Sequence, residues 1–274
     1  MGQVLGGLPQ GMVPGMQSST GIRLLDVAGG KEMRSLPGSK SLGGSARATV
    51  ALSRDGRLVA SATDSHRINI HEVASGRELF TLASDRAMQI GQIAFSPDGR
   101  FLAGAMMETK PGLDLTQLNS DLGAGGLFSF VVRLWDVSDP VGGARETGLL
   151  TGHRSSIKAL SFSPDGRTLA SAGFDATVRL WDVATGRAIS VLSGHTLSVN
   201  AIGFSADGKM IVSGSDDGST RLWQTETGEL LATLVTLNQG ADWLVVTPDG
   251  LFDGTPGAWG QILWRFSPNI FDVT

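Results

Sequence analysis

Between Ile157 and Leu192 the chain alternates apolar with polar or small residues in four short bursts, each broken by turn-forming residues. Ile157 to Ser163 (IKALSFS) has the period of two expected of a half-buried strand. Ser163-Pro-Asp-Gly166 follows, in which proline presets φ, aspartate bonds the local backbone and glycine supplies positive φ. Thr168 to Ala172 reads as a second strand and Gly173-Phe-Asp-Ala176 as a second turn. Thr177 to Val183 is a third strand, Ala184-Thr-Gly186 a third turn, and Ala188 to Leu192 a fourth strand. The pattern predicts four short antiparallel strands joined by tight turns.

The same pattern recurs. FSPDGR occurs at Phe95 to Arg100 and again at Phe162 to Arg167, with looser copies at Leu52 to Arg57, Phe204 to Lys209 and Val246 to Leu251. The aspartates fall at Asp55, Asp98, Asp165, Asp207 and Asp249, at spacings of 43, 67, 42 and 42 residues. The long interval marks an insertion over residues 106–129. A second marker runs alongside, RLWD at Arg133 to Asp136 and at Arg179 to Asp182, RLWQ at Arg221 to Gln224, with weaker forms at Arg23 to Asp26 and Asn69 to Glu72. Four short strands per unit near 42 residues predict an all-β propeller, each unit one blade. The repeated Asp-Gly is then the turn between the first two strands of a blade, not a binding site. Residues 1–20 read as a flexible Gly/Pro-rich segment, 21–236 as blades and 237–274 as a partial blade. Complete repeats run over 39–82, 83–150, 151–193 and 194–236. The C-terminal strands are expected at Trp243 to Thr247, Gly250 to Asp253 and Ile262 to Phe266.

Gly152-His153, Ser171, Asp175 and Trp181-Asp182 resemble the motif of the WD-repeat (WD40-type) β-propeller family, and Gly194-His195, Ser213, Asp217 and Trp223 resemble it again. The resemblance implies two buried hydrogen-bonded networks, His153–Ser171–Asp175–Trp181 and His195–Ser213–Asp217–Trp223. The other repeats depart from it: Gly43 and Arg86 stand at the histidine position, and His71 replaces a tryptophan. Those blades are expected to rest on apolar packing and to have softer edges. The family usually has about seven blades, within the range known for propellers. Four complete blades with partial ones at both ends therefore suggest an arc of a larger ring, or a small ring closed by the termini. The stretch DWLVVTPDGLFDGTPGAW also resembles a segment of large bacterial multidomain WD-repeat proteins, some with caspase-like domains.

Composition narrows the chemistry. The chain has 274 residues, with 41% hydrophobic and 18% charged residues, a globular balance. Its 38 glycines suit many tight turns, and the absence of cysteine excludes thiolate metal sites and cysteine nucleophiles. Net charge is −4, with lysines and arginines scattered singly, so no nucleic-acid partner is expected. Met1 to Ile22 is uncharged but lacks a basic region followed by an apolar core, so neither a membrane nor export is expected and the location reads as cytoplasmic. His153 and His195 hold equivalent places in adjacent blades, and His66 and His71 face opposite sides of a strand, so no metal site is expected. No nucleophile elbow or phosphate loop is present, and no catalytic residue or cofactor is assigned.

The expected function is a protein–protein interaction scaffold, a module of a bacterial multidomain regulatory or signalling protein. The alternative is a hydrolase-type enzyme using loops at the channel mouth. Phe174, at the tip of a turn, is a candidate contact anchor. Leu113, Leu115, Leu118 and Leu122 of the insertion either form an apolar docking patch or fold back onto the blades.

Overall fold

The computed structural model describes residues 22–26, 29–36, 49–62, 66–110, 127–139, 142–237, 240–259, 264–266 and 269–271. The chain forms two compact units, residues 1–44 and 45–274. In the first, β1 (Ile22–Leu25) and β2 (Glu32–Leu36) pair antiparallel. Asp26 closes their turn by accepting the Gly29 amide on Oδ2 at 2.7 Å.

The second unit is built of four-stranded antiparallel sheets in meander order, the architecture of WD-type propeller blades. Blade 1 is β3 (Thr49–Leu52), β4 (Leu58–Ala62), β5 (Arg67–Glu72) and β6 (Glu78–Ala83). Blade 2 is β7 (Ala87–Phe95), β8 (Phe101–Thr109), β9 (Phe128–Asp136) and β10 (Arg145–His153). Blade 3 is β11 (Ile157–Phe162), β12 (Thr168–Gly173), β13 (Thr177–Asp182) and β14 (Ala188–Ser193). Blade 4 is β15 (Val199–Phe204), β16 (Met210–Ser215), β17 (Ser219–Gln224) and β18 (Leu230–Leu237).

The repeated aspartate is consumed by its own turn. In blade 3, Asp165 Oδ1 accepts the Ser163 hydroxyl at 2.6 Å and the Arg167 amide at 3.0 Å, while Ser163 Oγ accepts the Thr168 amide at 2.9 Å. The Ser163 hydroxyl and the Arg167 amide hold the Asp165 carboxyl below the usual carboxylate range. Gly166 sits at φ 71°, where a side chain is strained. Ser53–Asp55, Ser96–Asp98 and Ser205–Asp207 repeat the bond. The motif is architecture.

The blades interlock through a recurring apolar pairing. Ala170, Ala172, Val178, Leu180 and Leu192 of blade 3 pack on Val199, Ile211 and Trp223 of blade 4. Ala103, Ala105, Val132, Leu134 and Leu150 of blade 2 likewise meet Ile157, Leu169 and Trp181 of blade 3. Small alanines on the second strand make room for the bulky front of the next blade. On blade 4 the corresponding positions are Val212 and Gly214, and this face is open: Val212 is 42% exposed where Ala170 is 0%.

Two details depart from expectation. The β8–β9 ladder continues past its expected ends, pairing Met106 with Val131 and Thr109 with Phe128, so the described strands take in both ends of the 106–129 insertion. Residues 242–254 were expected to open a new blade. Instead β19 (Asp242–Val246) pairs with β18, Leu237 opposite Asp242, and β20 (Phe252–Gly254) pairs with β19, giving a six-stranded sheet. Four residues separate Leu237 from Asp242, within the range of the steps between blades, which take three after Ala83, three after His153 and five after Ser193. Connection length therefore does not hold β19 away from β18, and its DWLVV alternation extends the sheet. A single helical turn, Pro256–Trp259, follows. Trp264–Phe266 is a strand as expected, but it pairs with Asn269–Phe271 in a separate two-stranded sheet. No helix among the described residues is long and apolar enough to cross a membrane.

The open face and the closed ones should respond oppositely to added bulk. Ala170→Leu is expected to cost about 1–3 kcal/mol by overpacking the blade 3–blade 4 interface. Val212→Leu, on the open face, should stay within about 0.5 kcal/mol of the parent. Urea unfolding of the two variants measures the contrast.

Candidate functional site

The two expected networks occupy the seams between blades. Trp181 Nε1–H can only donate, and it donates to Ser171 Oγ at 2.8 Å. The serine proton is then left for His153 Nε2 at 2.8 Å, which places the imidazole proton on Nδ1, 2.8 Å from Asp175 Oδ2. Asp175 also accepts the Arg154 amide at 2.9 Å and the Thr177 hydroxyl at 2.8 Å. Every polar atom in this chain of bonds has a partner. Blade 4 repeats it: Trp223 to Ser213 at 2.8 Å, Ser213 with His195 at 2.8 Å, His195 with Asp217 at 2.9 Å, and the Ser219 hydroxyl to Asp217 at 2.6 Å.

His153 ends β10 of blade 2, whereas its partners belong to blade 3. His195 follows β14 of blade 3 and bonds into blade 4. Each network therefore bolts one blade to the next. It also joins the connection entering a blade to the turn between that blade's second and third strands. Burial pushes the Asp175 carboxyl up, but the hydrogen bond from His153, the Arg154 amide and the Thr177 hydroxyl outweigh it. The carboxyl is held well below the usual range. At Asp217, Ser219, His195 and the Thr196 amide overcome burial in the same way.

Blade 2 replaces the network with charge, correcting the expectation of apolar packing alone. Gly104 stands at the serine position, where any side chain would meet Trp135 Cζ3 at 3.0 Å. Glu108, 2% exposed, takes over the polar role. It accepts from Arg133 Nε at 2.5 Å and Nη2 at 3.0 Å, and from the Ser84 hydroxyl at 3.4 Å, with Arg86 Nη2 at 3.9 Å. Arg133 Nη1 reaches out to Glu146 at 2.7 Å. Hydrogen bonding to Glu108, then to Glu146, raises the Arg133 pKa despite burial. Sequence reasoning missed Glu108 because it was counted within the insertion. The available signal was Arg86 at the histidine position together with Arg133 in RLWD, two cations that need an acid.

These bolts set one face of the unit. The Phe174 amide bonds Ser156 O at 2.9 Å, Thr109 N bonds Arg86 O at 3.0 Å, and Asp216 N bonds Ser198 O at 2.9 Å. In blades 2 to 4 the incoming connection thus lies beside the second-strand terminus. Phe174 is 52% exposed on this face, with Lys158 Nζ 4.2 Å from its ring centroid. Leu197 (54%) and Met88 (49%) are exposed beside the corresponding connections of blades 4 and 2. Leu113, Leu115, Leu118 and Leu122 lie outside the described residues. Among the described residues no three His, Asp or Glu side chains group as a metal site.

Residues 145–182 and 186–224 match the family model described as WD domain, G-beta repeat. The chain is 33% identical over 157 residues to WD repeat-containing protein SL1-17 of Schistosoma mansoni, covering 52% of each chain. It is 30% identical over 138 residues to antiviral protein SKI8 of Saccharomyces cerevisiae, across 48% of this chain and 32% of that one. It is 37% identical over 60 residues to ribosome assembly protein 4 of Chaetomium thermophilum, 22% of this chain and 11% of that one. The chain thus spans about half of the first of these relatives and less of the others.

Glu108→Ala should destabilise the protein by about 3 kcal/mol or more, because it strands a buried guanidinium. Glu146→Ala, removing the half-exposed partner, should cost less than about 1 kcal/mol. Equal urea midpoints for the two variants would contradict this account.

Asp175→Ala should cost about 1–3 kcal/mol by leaving buried donors unpaired. Because the folded-state carboxyls of Asp175 and Asp217 lie below their unfolded value of about 3.9, their contribution is full above about pH 4 and fades as pH falls. Asp175→Asn with Asp217→Asn should therefore flatten the loss of stability between about pH 4 and pH 2, read from urea midpoints across that range.

Proposed function

We propose that this chain is a protein-interaction scaffold whose blades present partners with the face bearing the incoming connections and the second-to-third-strand turns. The observation that carries the reading is the line of Met88, Phe174 and Leu197, exposed on blades 2, 3 and 4 of one face. Aromatic and large apolar side chains anchor protein interfaces. Here Leu197 stands on an incoming connection, Phe174 on a second-to-third-strand turn and Met88 at the start of β7, each beside a buried network or ion pair that limits the ordering cost of binding. The match to WD repeats and the names of the relatives, one of them a ribosome assembly protein, support the same reading.

The reading extends to a module of a larger regulatory or signalling protein, supported by the local resemblance of the C-terminal stretch. The named relatives are eukaryotic, so a bacterial parent with a caspase-like domain rests on that stretch alone. Leu113, Leu115, Leu118 and Leu122 are proposed as a further contact set.

Phe174→Asp combined with Leu197→Asp should leave the urea midpoint within about 0.5 kcal/mol and weaken capture of partners from the source organism's lysate at least severalfold. Replacing residues 111–126 by Asn-Gly should also preserve the fold, since the Thr109–Phe128 pairing and Glu108 remain. Unchanged capture by both variants would move the interaction to the opposite face.

A further inference from the structure

The first strands of blades 1, 2 and 3 converge on a cleft of about 170 Å³. A register irregularity between Ile90 and Ile93 creates it. Gly91 is brought so close to β11 that a Cβ there would lie 3.3 Å from Ile157 O, and its carbonyl accepts the Thr49 hydroxyl at 2.6 Å. The extended β8–β9 ladder raises one wall, where Met107 pairs with Phe130. Met106 and Ile157 form a buried apolar floor, and Gln89, Gln92 and Lys158 stand at the rim.

Among the described residues Lys158 is the sole charged residue lining this cleft. No carboxylate among the described residues lies within ion-pair distance of it. Its ammonium rests instead against the Phe174 ring, which holds a cation in place without neutralising it. The cleft thus offers one fixed positive charge, two side-chain amides able to donate, and an apolar floor. Its volume is below the roughly 300–1,000 Å³ of small-molecule and cofactor pockets and suits one or two side chains. A single cation is too little for a phosphate backbone.

We propose that this cleft binds an acidic side chain within an extended segment of a partner protein. The carboxylate pairs with Lys158 and an adjacent apolar residue lies over Met106 and Ile157. The proposal rests on the interaction reading of this face and names the chemistry of the segment it takes.

The test uses the full chain and two fluorescein-labelled peptides, Gly-Ser-Leu-Glu-Leu-Ser-Gly and its counterpart with Gln for Glu, followed by fluorescence anisotropy. The Glu peptide is expected to bind about fivefold or more tightly than the Gln peptide, the size of one charge-assisted contact. Raised salt should narrow the gap. Lys158→Gln should abolish the difference and Lys158→Arg should keep it, with circular dichroism and urea midpoints confirming that both fold. Equal binding of the two peptides, no binding of the Glu peptide at millimolar concentration, or a preference unaffected by Lys158→Gln would each overturn the proposal. Concentration-dependent dimers lost in Lys158→Gln, without peptide binding, would overturn it in favour of a second copy of this chain. Lysate capture separates the two readings. Loss in Phe174→Asp/Leu197→Asp but not in Lys158→Gln leaves the interaction face standing and removes the cleft from it.

Discussion

Polar groups buried at the seam between two blades must find partners inside the protein, and this requirement organises the rest of the structure. The indole N–H of Trp181 packs against the alanines of blade 2, out of reach of water. Its hydrogen bond to Ser171 begins a chain that ends on Asp175, and Asp175 in turn fixes the Arg154 amide and the Thr177 turn. An apolar interface alone would hold the sheets together but would leave their connections free to choose a conformation. The networks remove that freedom where the connections meet the surface.

Blade 2 shows that the requirement can be met with different chemistry. With glycine in place of serine, the bond from indole to hydroxyl is lost. The third-strand arginine is paired instead, by Glu108, whereas Nε of the equivalent Arg179 and Arg221 is buried without a hydrogen-bond partner. A buried ion pair is sensitive to the loss of either member, whereas the hydrogen-bonded network spreads the same role over four side chains. The substitution also has a geometric result. Carrying the ladder out to Glu108 lifts Met107 and Phe130 above the neighbouring blades, and these residues wall the cleft beside Lys158.

Much of this was legible in the sequence, for identifiable reasons. The strands of blade 3 lie within one residue of their expected ends, because alternation and turn chemistry act locally. His153, Ser171, Asp175 and Trp181 were legible as a set through the resemblance to the WD-repeat motif, which recurs at His195, Ser213, Asp217 and Trp223. Glu108 was not, because nothing in a single strand says that a loop residue continues a ladder until its cross-strand partner, Ser129, is known. The pairing of β19 was hidden for a related reason: DWLVV alternates identically whether it opens a blade or extends one. The cleft at Lys158 draws on three blades at once, and no local pattern encodes such convergence.

The offset between sequence repeat and structural blade has a consequence for how the chain is made. His153 ends one blade, but its carboxylate partner lies 22 residues further along. During synthesis at about 5–20 residues per second, a blade can pair its four strands and still wait a second or more for the residues that bolt it. Closing a loop of that length is far faster than adding the residues, so the ribosome, not the search, sets the pace. Each finished blade is thus held provisionally and locked by its successor, and the order of locking runs from the N-terminus. The sheet most exposed to mispairing at any moment is the newest, whose alanine face is still uncovered.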